Sequence, residues 1–156
     1  MIVNRRTFST LLAGAIAAPR LAFAQAKTNC AFYSGVGGQL THFEVDFDAA
    51  TLAKRAAVTL PGGIQYAWPH PSRRHLYVAT SSGGVGIAPV PGYPPNQHYL
   101  AAFRVTPLGE LSLNGDLIKL RQRPIHASVD SAGEHLLVIR VVDSGGNTGL
   151  AKVILH

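Results

Sequence analysis

Tyr66-Ala67-Trp68-Pro69-His70-Pro71-Ser72-Arg73-Arg74-His75-Leu76-Tyr77-Val78-Ala79 returns in altered form as His126-Ala127-Ser128-Val129-Asp130-Ser131-Ala132-Gly133-Glu134-His135-Leu136-Leu137-Val138. Ala67 falls on Ala127, His75-Leu76 on His135-Leu136 and Val78 on Val138, each sixty residues on. Phe43-Glu44-Val45 falls on Phe103-Arg104-Val105 at the same spacing. Two separate matches at one offset mark an internal repeat, and a repeat is a unit that buries its apolar face against its neighbours.

The strand pattern around the repeat is consistent with this. Asn29 to Ser34 reads as a strand ended by Gly35, Gly37 and Gly38. Leu40 to Phe47 alternates, with Phe43, Val45 and Phe47 on one face and His42, Glu44 and Asp46 on the other, the mark of a half-buried strand. Leu52 to Leu60 follows, closed by Pro61-Gly62-Gly63. Ile64–Trp68 and Leu76–Thr80 form a hairpin around Pro69 to Arg74, in which His70 and Arg73 read as turn surface. Tyr99–Val105 and Leu111–Leu120 continue the strands, and Ile125–Asp130 pairs with His135–Val142. Each unit thus holds about four short strands ending in the same hairpin, with no helix. The fold class is all-β, sheets stacked side by side, and a β-propeller is the common closed form.

Composition agrees and narrows the function. Apolar residues make up 47% and charged ones 14%, enough for a packed core. Sixteen Gly and ten Pro suit many short strands joined by turns. The net charge of +6 invites a nucleic-acid reading. Once Arg5, Arg6 and Arg20 are set aside, however, eleven bases face eight acids and form no stripe, so no nucleic-acid partner is expected.

Residues 1–24 read as a cleavable signal peptide, leaving 25–156 as the partial propeller domain. Arg5-Arg6-Thr7-Phe8 resembles a twin-arginine start, Leu11 to Ala18 is the apolar run, and Ala22-Phe23-Ala24 is an A-x-A cleavage site. The apolar run is too short to span a bilayer, which takes about 20 residues. The expected location is periplasmic or secreted, with no membrane association after cleavage. Cys30 stands alone, so no disulfide forms within the mature chain, and it is expected to be a small buried residue on a strand.

Gly83 to His98 packs Gly83-Gly84-Val85-Gly86 together with Pro89, Pro91, Pro94 and Pro95. It is a poor phosphate loop, lacking the Lys-Ser/Thr ending and a following helix. No cofactor is expected. The seven His are dispersed, and no metal-ligand spacing, Ser-His-Asp set or paired carboxylates appear.

At the repeat the chain resembles the lactonase, or 6-phosphogluconolactonase-like, seven-bladed β-propellers. The residues that carry the resemblance are Phe32-Tyr33-Ser34-Gly35, Gly38-Gln39-Leu40, Phe43-Glu44-Val45-Asp46, Pro71 to Ala79 and Arg123 to Gly133. It covers nearly the whole mature chain but only about two to two and a half of seven blades, an incomplete propeller. The family's run after Leu137-Val138 is replaced here by Ile139 to Gly146. This reads as a shortened product, or as a fragment that self-associates or pairs with further blades.

The resemblance implies an exported hydrolase opening a sugar or related lactone, with a small-molecule lactone or carbohydrate as ligand. The family's catalytic acid, histidine and arginines fall by resemblance mostly in later blades, so the alternative reading is a non-catalytic periplasmic binding or interaction propeller. The repeat register sets Gln65-Tyr66 and Ile125-His126 at equivalent points where each hairpin enters its blade. His126 is therefore the candidate catalytic base, since imidazole exchanges protons near neutrality. The other reading is that it satisfies a turn backbone group. Arg123 is a candidate substrate-binding residue through its fork of donors, and Tyr66 is either a second or a packing aromatic.

Overall fold

The structure, a computed structural model, describes residues 30–83, 91–140 and 150–154. The expected signal peptide, most of the glycine cluster and the 141–149 stretch lie outside the described residues. Within them the chain is all-β, with eleven strands in antiparallel sheets, none of which closes on itself.

Three sheets follow one another. The first pairs β1 (Cys30–Val36), β2 (Gln39–Asp46) and β3 (Thr51–Thr59) in that order. The middle sheet runs β4 (Gly63–Pro69), β5 (His75–Ser81), β6 (His98–Val105) and β7 (Leu111–Leu113), and β8 (Ile118–Leu120) also pairs with β6. The third holds β9 (Pro124–Val129), β10 (His135–Arg140) and β11 (Leu150–Ile154), with β10 in the centre.

The sheets stack because the middle one is apolar on both faces. Along β5 and β6 the side chains alternate. Leu76, Val78, Ala101 and Phe103 pack with Leu40 and Leu60 of the first sheet and its edge. Tyr77, Ala79 and Leu100 pack instead with Ala127, Leu136 and Val138 of the third. A strand buried on both faces reads as a near-continuous apolar run, and Leu76-Tyr77-Val78-Ala79 is one.

The repeat is reproduced in geometry. His70 N–H donates to His75 O (2.9 Å) and Arg73 N–H to His70 O (2.8 Å); sixty residues on, Asp130 donates to His135 (3.0 Å) and Gly133 to Asp130 (3.1 Å). Arg73 and Gly133 both take a left-handed φ, 58° and 76°.

Four sequence expectations are revised. The repeated hairpin opens a sheet and does not close a unit, since the break between sheets falls between β3 and β4. Phe43 and Phe103 are equivalent, and their partners Phe32 and Leu76 make β1 the counterpart of β5. Among the described residues the first sheet therefore has no strand at the position β4 and β9 occupy in theirs. One consequence is local: Ala127 is fully buried beneath the middle sheet, whereas its repeat partner Ala67 is exposed.

Leu111 to Leu120 is not one strand. It divides at Asn114 to Leu117, with Gly115 at φ 80°, because β7 pairs with the end of β6 and β8 with its beginning. Cys30 is on a strand as expected but is only half-buried. The polar face of β2 is not the wet one. His42 is 3% exposed, its ring tilted against that of Tyr33, and both ring nitrogens lack a partner among the described residues. The turn from Thr106 to Glu110 lies over it, fastened by Tyr33 Oη donating to Gly109 O at 2.6 Å. Gly109 is required there: its φ is 81°, and a Cβ would meet Ala31 Cβ at 2.3 Å.

Candidate functional site

β4 and β9 are the first strands of adjacent sheets and pack against each other, which brings the two hairpin entrances together. Tyr66 and His126, equivalent in the repeat, meet ring to ring with centroids 4.3 Å apart. Trp68, two residues along β4 and so on the same face as Tyr66, stacks with it at 6.1 Å and lies 6.0 Å from the His126 ring. Among the described residues the His126 ring nitrogens make no hydrogen bond.

Arg123 lies just before β9. Its Nε and Nη2 both donate to Gln65 Oε1, at 2.9 and 2.7 Å. Gln65 Nε2 in turn donates to Gly63 O (3.1 Å), which fixes the amide so that its oxygen faces the guanidinium. Arg123 is held at one end of the β4–β9 face with donors to spare, because a guanidinium carries five N–H groups.

His98 adds a second imidazole at this end. Its Nδ1 is 3.0 Å from Ser81 Oγ, both groups being buried. Ser81 Oγ donates its single proton to Gly83 O (2.8 Å), so His98 Nδ1 must carry the hydrogen and Nε2 is left as the bare nitrogen. Burial first, and then the positive charge of Arg123, hold the His98 pKa below the usual imidazole value. At neutral pH it is an uncharged acceptor. Ser82 Oγ ties the same corner by donating to Pro94 O and accepting from Gln97 N, closing the base of the Gly/Pro segment.

The structure thus brings together the three residues singled out from sequence, Tyr66, Arg123 and His126, from two sheets. It adds Gln65, Trp68 and His98, which the sequence reading left out as site residues. Trp68 was findable, since a same-face aromatic two positions from Tyr66 follows from strand periodicity. His98 was not, because its partner Ser81 is reached only through the pairing of β5 with β6. Among the described residues no three His, Cys, Asp or Glu side chains stand together as metal ligands.

The arrangement combines an aromatic platform, the His126 ring against it and a guanidinium held at one end by Gln65. Such a surface can stack the carbon face of a ring-shaped polar molecule and hold its oxygens or a carboxylate.

No protein-family model and no curated protein matches the chain. Among solved structures, it is similar to a Bacteroides fragilis protein provisionally named a 6-phosphogluconolactonase, with a TM-score of 0.53 and 15% sequence identity. The alignment covers 79% of this chain and 35% of that one. At this identity the likeness is one of fold, and the chain spans about a third of that protein's length.

Proposed function

We propose that the β4–β9 face is the ligand site of a propeller segment of the seven-bladed lactonase type, acting on a sugar or related lactone. The observation that carries the reading is the meeting of His126 with Tyr66 and Trp68 across two sheets, with Arg123 fixed on Gln65, the neighbour of Tyr66 in β4. The fold likeness to a protein provisionally named a 6-phosphogluconolactonase supports it.

The chemistry is hydrolysis of the ring ester. The lactone stacks on Tyr66 and Trp68, Arg123 draws its oxygens, and His126 accepts a proton as water attacks the carbonyl carbon. The carbonyl–ring oxygen bond then breaks and that proton passes to the leaving oxygen, giving a hydroxy acid. Purified mature chain is expected to open glucono-δ-lactone faster than buffer does. His126→Ala should remove about a hundredfold of that enhancement, the scale of general-base catalysis. Equal rates for both proteins and for buffer would rule the hydrolase out.

A second reading has its own observation. Among the described residues His126 has no hydrogen-bonded carboxylate or carbonyl to orient it, which a general base ordinarily has. A non-catalytic binding propeller would then hold a lactone or carbohydrate on the same face without turnover. Export to the periplasm rests on residues 1–24, and amino-terminal sequencing of the exported product is expected to begin at Gln25.

A further inference from the structure

At the other end of the middle sheet, where β4 turns into β5, an open groove of about 720 Å³ is lined by Ser72, Arg73, Arg74, His75, Arg104 and Thr106, with two apolar neighbours. Among the described residues, three guanidinium groups and an imidazole line it, and no carboxylate does. Its volume is in the small-molecule range.

The internal repeat supplies a control for whether these charges serve the fold. Sixty residues on, the same turn carries Gly133 where Arg73 stands and Glu134 where Arg74 stands. Sixty residues back, Glu44 holds the place of Arg104. The group beside the histidine changes as well: His135 Nδ1 is 2.8 Å from Asp130 Oδ2, whereas His75 has the ring of His70 at 5.8 Å instead. At every one of these positions the sister element folds to the same geometry with a neutral or acidic residue. The basic side chains are not needed to make the hairpin or the strand.

Arg73 is even unfavourable for it. Its φ of 58° is a conformation in which a residue with a Cβ is strained by roughly 1 kcal/mol, and which Gly133 takes freely. Observed strain of this kind points to a use for the side chain. Arg104 is prepared for a ligand, since its Nε is anchored on Asn114 Oδ1 at 2.9 Å while its two terminal nitrogens make no other hydrogen bond among the described residues.

We propose that this groove binds a phosphate group borne on a small molecule, taken by the forks of Arg73, Arg74 and Arg104. Guanidinium pairs match phosphate oxygens in geometry and charge. The site is separate from the β4–β9 face and does not depend on lactone chemistry. His75 reports on it. Its pKa is held below the usual imidazole value by burial first and then by the charges of His70, Arg104 and Arg74. A bound dianion offsets the guanidinium charges and raises it.

The test is an NMR titration of the His75 ring in the mature chain, in chloride and in inorganic phosphate at matched ionic strength, with glycerol 3-phosphate and sulfate as further probes. Phosphate and glycerol 3-phosphate are expected to raise the His75 pKa saturably, with sulfate weaker. Arg73→Gly relieves the strained φ, so it should melt no lower than the parent while binding phosphate about tenfold more weakly, the loss of one charge-assisted contact. Arg104→Gln should weaken binding likewise. A His75 shift that chloride reproduces, or phosphate affinity unchanged in both variants, would overturn the proposal. A response to glycerol 3-phosphate much stronger than to inorganic phosphate identifies an organic phosphate as the occupant.

Discussion

Gly133 shows how one residue can be fixed by two independent constraints. Its φ of 76° disfavours any side chain, and a Cβ placed there would lie 2.5 Å from His70 Nε2. His70 is the clasp between the two repeated hairpins. Its Nδ1 accepts from Ser72 N–H at 3.0 Å, so Nε2 carries the proton and donates to Gly133 O at 3.1 Å. Gly133→Ala is expected to cost about 1–3 kcal/mol, from backbone strain and the displaced clasp. Chemical denaturation would check this, and an unchanged midpoint would contradict it. The turn itself was legible in sequence, as was its match with Pro69 to Arg74. The role of His70 was not: it reads as turn surface until the third sheet is laid beside the second. His42 failed for a related reason. Alternation tells which residues share a face of a strand, and it does not tell what covers that face.

At the scale of the strand and sheet, the repeat offset identified β4–β5 and β9–β10 as equivalent and so set Tyr66 and His126 at equivalent points, without showing that the two rings meet. It misplaced the boundary, because sequence order alone does not say whether a hairpin closes one sheet or opens the next. The first sheet has the most consequential exposure. Phe32, Phe43, Val45 and Leu52 share the face turned away from the middle sheet, as the pairing of Phe32 with Phe43 and Val45 with Leu52 requires. Phe32 is 48% exposed, Leu52 58%, and Phe47 in the adjoining turn 69%. A contiguous apolar face of this kind favours association. We expect the mature chain on its own to self-associate, and Phe32→Ser with Leu52→Ser to shift it towards monomer in light scattering. A parent protein that is already a monodisperse monomer at high micromolar concentration would refute this.

The whole molecule is a stack in which the middle sheet is the common neighbour. Its two clusters, one around Phe103 and Val78 and the other around Leu136 and Ala127, hold the outer sheets in place. The candidate site exists only as a product of that stacking, since Tyr66 and Trp68 belong to one sheet and His126 and Arg123 to the start of another. Composition and repeat made the all-β class legible. The bond between Arg123 and Gln65 and the place of His98 were not, because both depend on how two sheets meet, and that is decided by packing between distant residues.

This dependence also supplies the most direct measurement. Trp68 is the sole tryptophan of the chain and sits 6.0 Å from His126, so its fluorescence reports on the site without a label. The mature protein should be titrated with glucono-δ-lactone while Trp68 emission is followed, alongside His126→Ala. A saturable change in emission is expected, weakened at least several-fold in the variant. Emission indifferent to the lactone, or an identical response without His126, would contradict the claim that the β4–β9 face is a ligand site.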